Sequence, residues 1–125
     1  MYHQDWLMRK IETIIQMVAK IIFKKDFERD NIQFDIYDES NSVEIHRLYE
    51  RLIDLINELK INEAENILFV EINNDDLIYI KIAVDFYNRL NKLNDEELER
   101  ANFTREEIKS GLEDILKLYN ISLTI

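Results

Sequence analysis

The chain has no cysteine, no proline and a single glycine, Gly111. Without cysteine, neither disulfide stapling nor thiol chemistry is available. Without proline, and almost without glycine, hairpin turns lose their usual punctuation and helices keep running. A long apolar run is missing as well. Between Ile11 and Phe23 the apolar residues are interrupted by Glu12, Gln16 and Lys20, and Lys24, Lys25 and Asp26 follow where a small-residue cleavage site would stand. The opening therefore reads as neither a signal peptide nor a spanning helix, which needs about 20 predominantly apolar residues. Together with the missing cysteines this favours the cytoplasm. Histidine is scarce too: His3 and His46 have no HExxH spacing, and a zinc site would have to recruit carboxylates through folding. The acidic runs at 73–76 and 94–99 lack the alternating ligands and sixth-position glycine of a calcium loop. Ser40, Ser42, Ser110 and Ser122 have no nucleophile-elbow motif around them. No cofactor, no metal and no enzymatic activity are expected.

Positive charge is in short supply. Lysine and arginine number 16 against 26 aspartate and glutamate, a formal net charge of −10. The balance is uneven: residues 1–25 carry five basic and two acidic groups, and residues 26–125 carry 11 and 24. An acidic body repels phosphate backbones and has no lysine–arginine cluster to overcome the repulsion, so nucleic acid is disfavoured as a ligand. The hydrophobic content of 46% is nonetheless too high for a disordered chain, and 125 residues suffice for one domain with its own core.

What the sequence does contain is helical period. Over 5–24, Leu7, Ile11, Ile14, Ile15, Val18, Ile21 and Ile22 fall on one side, and Arg9, Glu12, Gln16 and Lys20 on the other. Residues 26–43 are the least helical part. Ile32, Phe34 and Ile36 alternate with polar residues there, which predicts an extended linker that docks on the body or pairs with a second copy. Residues 44–72 predict a helical hairpin, with Asn62 and Glu65 as the capping box of its second helix. A helix over 75–91 is apolar almost all round at 77–84, which predicts a central position. Two further capping boxes, Asn94 with Glu97 and Thr104 with Glu107, carry hydrophobic staples Leu93–Leu98 and Phe103–Ile108. They start a short helix at 95–101 and a C-terminal helix at 105–120. The expected fold class is all-α, one domain, with five or six helices in antiparallel hairpins.

Two features stand out from this grammar. Gly111 sits in the middle of the last helix, where glycine costs about 1 kcal/mol relative to alanine; close approach of a neighbouring helix backbone would explain it, and so, less favoured, would a drifted surface position. Aromatic residues are the other surplus. Tyr2, Trp6 and Phe23 lie at the ends of the first helix, and Tyr79, Phe86 and Tyr87 along the fourth. Rings at helical spacing belong mostly to a core, but tyrosine and tryptophan also favour contacts in which one edge stays wet. A candidate interface therefore comprises Tyr2, Trp6, Ile11, Ile15, Phe23, Tyr79, Phe86 and Tyr87, used in a C2 homodimer through residues 5–25.

The stretches "DWLMRKIE", "INEAENILF", "AVDFYNRLN" and "LNDEELERANFTREEIKSGLEDI" give the chain a resemblance over nearly its whole length. It resembles a family of small uncharacterised bacterial proteins from Firmicutes, a domain of unknown function. The resemblance implies helical hairpins stacked somewhat like tetratricopeptide repeats, and it implies no activity. Three functions compete on these grounds. The first is a protein-interaction module or homo-oligomeric adaptor whose protein partner is unidentified. The second, weaker, is attachment to a membrane surface through the amphipathic first helix. The third is carboxylate or metal-dependent catalysis, for which the sequence offers no constellation.

Overall fold

Helical period becomes six helices among the residues that the computed structural model describes, 5–23 and 42–123. They are α1 (Asp5–Phe23), α2 (Val43–Asn57), α3 (Ile61–Glu71), α4 (Leu77–Asn91), α5 (Asp95–Arg100) and α6 (Arg105–Leu118). The expected alternation of Ile32, Phe34 and Ile36 lies outside the described residues. The protein is all-α.

Helix α4 is the axis of the fold. Ile80, Ile82, Ala83, Val84, Phe86, Tyr87 and Leu90 are all buried, so this helix hides most of its circumference. It packs against α1 and α6, which also touch each other, and against α2 on another side. Helices α1, α4 and α6 thus form a three-helix bundle. The apolar stripe of α1 is buried in this core from Leu7 through Ile11, Ile14 and Ile15 to Val18, while Ile21 beyond it is half exposed. Helix α6 adds Ile108, Leu112, Ile115 and Leu116. Helices α2 and α3 pack against each other across a short turn, and α2, which buries Leu48, Tyr49, Leu52, Leu55 and Ile56, also packs on α4. Helix α3 buries only Ile61, Ala64 and Leu68 and stays peripheral.

Three helix ends close in the same way without glycine. The backbone N–H of Leu59, Asn102 and Asn120 each reaches back three residues, and that of the next residue reaches back five, as in the Schellman motif. All three sit at positive φ, near 60°. Asparagine tolerates that conformation; leucine does so at a cost of about 1–2 kcal/mol. The motif at Leu59 also corrects one expectation. The turn is so tight that Lys60, whose N–H reaches back to the Leu55 carbonyl of α2, also stands at the N-cap of α3, with no side-chain cap. Asn62 is therefore already inside α3 and Glu65 closes no capping box. Asn62 instead donates to the Asn102 carbonyl at 3.3 Å. The two other boxes, at Asn94–Glu97 and Thr104–Glu107, form as expected.

A polar knot fixes the register of the bundle. Arg105, only 4% exposed, donates to the Asn91 carbonyl (3.0 Å), the Asn91 side chain (3.2 Å), the Leu93 carbonyl (2.7 Å) and Asp95 (3.2 Å). Asn91 in turn donates to the Met8 carbonyl of α1 at 3.0 Å. Burying a guanidinium is costly unless its donors are satisfied, and here two carbonyls that no helix uses supply the acceptors.

Candidate functional site

The α2–α3 hairpin has an outer side that nothing else in the described chain covers. Antiparallel helices joined by a short turn touch along one line and leave a groove beside it. Here the groove encloses about 470 Å³ and is lined by Glu44, Arg47, Leu48 and Arg51 from α2, and Asn66, Ile67, Val70 and Glu71 from α3. Its floor is apolar. Val70 is 81% exposed, and Val43 and Leu77 add exposed apolar surface near the same end of the hairpin. Arg47 and Arg51 stand one helical turn apart on the α2 wall. Neither has a hydrogen bond or ion pair among the described residues. Like charges at i and i+4 repel, and Glu44, Glu50 and Asp54, three residues from one or the other arginine on α2, offset that repulsion without forming an ion pair.

Two polar clusters outside the groove are self-satisfied. Tyr87, fully buried, donates its hydroxyl to Glu65 at 2.6 Å. Burial raises the Glu65 carboxyl above its ordinary range, with Glu107 and Asp114 adding to the shift and the Tyr87 hydrogen bond opposing it. Burial and the Glu65 carboxylate likewise push the Tyr87 hydroxyl strongly upward. A raised carboxyl is a catalytic signature elsewhere, but here the oxygen is occupied by a core tyrosine. Gly111 lies beneath the pair: a Cβ there would overlap the Tyr87 hydroxyl and come within 2.6 Å of Glu65 Oε2. The close approach expected at Gly111 is therefore real, but it is made by side chains rather than by a helix backbone. In the second cluster, Arg89 pairs with Asp85 at 2.9 Å and donates to the Tyr49 hydroxyl at 2.8 Å. Its guanidinium also sits over the Tyr49 ring, 5.6 Å from the centroid. Burial, then the charge of Asp85, holds the Tyr49 hydroxyl up at about 12, so it is neither a ready base nor a ready nucleophile.

The eight residues singled out from the sequence separate in the structure. Ile11, Ile15, Phe86 and Tyr87 are interior, with Phe86 and Tyr87 in edge-to-face contact at 5.1 Å between centroids. Trp6 is 64% exposed on α1, and Tyr79 is half-buried near the groove end, within the field of Glu44, Glu71 and Asp76. Tyr2 and the side chain of Phe23 lie outside the described residues. The groove itself was not foreseen. Its signal was present all the same: Arg47 and Arg51 at i and i+4 in an acidic chain, and Val70 off the buried stripe of α3.

Fold and groove together define a small all-α protein with an open apolar cleft on its second and third helices and, among the described residues, no metal-binding group of three or more His, Cys, Asp or Glu. The chain belongs to a family of unknown function, DUF6483, whose model matches residues 1–120. Neither a curated protein nor a solved structure matches it. None of the described helices is long and apolar enough to cross a membrane.

Proposed function

We propose that this protein is a non-catalytic interaction module and that the α2–α3 groove is its docking surface. One observation carries the reading: an open apolar cleft of about 470 Å³, flanked by two arginines that have no partner among the described residues. Exposed apolar surface rimmed by charge is what a protein contact uses, and catalysis would need convergent polar groups in the cleft. The absence of cysteine supports a reducing, cytoplasmic setting. The α2–α3 hairpin is also the part of the fold that supports kinship with tetratricopeptide-like hairpins. A photo-crosslinking residue at position 70 of the full chain, irradiated in a native lysate, is expected to give a discrete protein adduct. The same probe at Glu96, on the exposed side of α5, should not. No adduct at position 70, or equal adducts at both, would overturn the reading.

A second reading, homodimerisation, is supported by the outer side of α1, where Trp6 and Ile21 are 64% and 50% exposed. Sedimentation equilibrium should then report about twice 15.2 kDa and lose the dimer in Trp6→Ala. A monomer at micromolar concentration rejects it. For membrane attachment, Leu7, Ile11, Ile14, Ile15 and Val18 are buried, and the apolar surface that α1 still offers is Trp6 and Ile21.

A further inference from the structure

The charges along the groove are ordered, and the order describes an occupant. Glu44 lies in the first turn of α2 and Glu71 is the last residue of α3. Because the two helices run antiparallel, both carboxylates stand at the same end. Arg47 and then Arg51 follow along α2 toward the other end. Between the two helices the apolar lining is Leu48 and Ile67, with the exposed Val70 at the rim. Resting on the interaction-module reading above, we infer that the groove takes an acidic amphipathic helix of another protein. Its apolar side chains, spaced i, i+3 or i+4, and i+7, lie over Leu48, Ile67 and Val70. Its carboxylates face Arg47 and Arg51, and its N-terminus points toward Glu44 and Glu71.

Each part of that description has a physical source. A groove between two parallel-axis helices is filled by a third helix, whose ridges enter it, as helix-in-groove complexes do. From Glu44 to Arg51 the α2 wall is about 10 Å long at 1.5 Å per residue, which presents two turns of a partner. Carboxylates one turn apart on that partner meet both arginines and use guanidinium forks that make no ion pair among the described residues. The positive end of the partner's helix dipole is favoured beside Glu44 and Glu71, and its negative end is disfavoured there. The acidic body does not forbid the approach. At physiological salt, charges beyond about 8 Å are largely screened, whereas the arginines act at contact.

The test uses the full chain and two labelled synthetic helices. One has leucines at i, i+3, i+4 and i+7 flanked by glutamates; its twin has lysine in place of every glutamate. Fluorescence anisotropy should show the glutamate helix binding about tenfold tighter than its twin, as two attractions replaced by two repulsions predict. Added salt should erode the difference. Arg47→Glu with Arg51→Glu should reverse the order, and Val70→Asp should abolish binding of both. All three residues are exposed. Circular dichroism should therefore leave these variants as helical as the parent, and the arginine pair and Val70 serve as independent checks. Equal affinity for the two helices, or no change in the arginine variant, overturns the inference. So does absence of binding together with a dimer that Val70→Asp dissolves, which would place a second copy in the groove. Binding that emerges only after Phe34→Asp and Ile36→Asp would instead give the groove to the chain's own residues 24–41. If the peptides fail while the adduct at position 70 persists, the module stands and only its partner's chemistry is wrong. If both fail, neither stands.

Discussion

A methyl group at position 111 would run into the Tyr87 hydroxyl, which is why the only glycine of this chain stands in a helix rather than at a helix end. Gly111→Ala gains about 1 kcal/mol of helix propensity but overpacks the site at a cost of about 1–3 kcal/mol, so the expected outcome in denaturant unfolding is a net loss of up to about 2 kcal/mol. Removing the obstacle should restore part of it. The loss from Gly111→Ala measured in a Tyr87→Phe background should be smaller than in the parent, and strict additivity would show that the hydroxyl is not the obstacle. The partner of that hydroxyl makes a second prediction. Burial, aided by Glu107 and Asp114, raises the folded-state Glu65 carboxyl above its ordinary value. The folded chain then keeps this proton to higher pH than the unfolded chain. Its stabilising contribution is greatest below the unfolded value and declines as pH rises toward the raised folded value. Glu65→Gln keeps an acceptor for Tyr87 and removes the titration. Denaturant midpoints followed from acid to neutral pH should decline less across that interval in Glu65→Gln than in the parent, and superimposable profiles would contradict the assignment.

Among the elements, the helix starts divide into two kinds. At α5 and α6 the caps are local devices, so Asn94→Ala and Thr104→Ala should each cost about 1 kcal/mol of stability. At α3 the sequence offers an imitation: Asn62→Ala removes only an exposed hydrogen bond and should cost under about 0.5 kcal/mol. Thermal unfolding of the three variants side by side decides it, and an equal loss in all three would return Asn62 to the cap. This contrast also marks what was legible in the sequence. The two complete boxes were readable because every participant lies within four residues of the next. The α3 start was not, because it depends on Leu59 holding a left-handed backbone that nothing in its side chain announces. Glu65 fits a capping box on paper, but its partner is 22 residues away on another helix. Arg105 reads as a solvated first-turn residue until α4 brings the Asn91 and Leu93 carbonyls to it. The central place of α4 was legible, since a helix apolar on every side has nowhere else to go. The groove was the least legible feature, because an uncovered surface is defined by which faces fail to meet.

For the molecule as a whole, the weight rests on α4. Phe86→Ala should cost about 3–5 kcal/mol, since the cavity opens where helices from two sides meet. A loss below about 1 kcal/mol would mean that the core there closes up. Such a cost is a large share of the about 5–15 kcal/mol by which a domain is stable. Helix α1 stands in a different relation to this core. It belongs to the bundle through Leu7, Ile11, Ile14, Ile15 and Val18 and through the bond from Asn91 to the Met8 carbonyl, a partner 83 positions away in the chain. Its contacts with α4 and α6 therefore all span the interval 24–41. The protein is in this sense a two-piece assembly written as one chain. Severed between 24 and 41, the N-terminal piece and the remainder should complement one another. Helicity would then rise with the concentration of either fragment, and a reaction that is now unimolecular would acquire a dissociation constant.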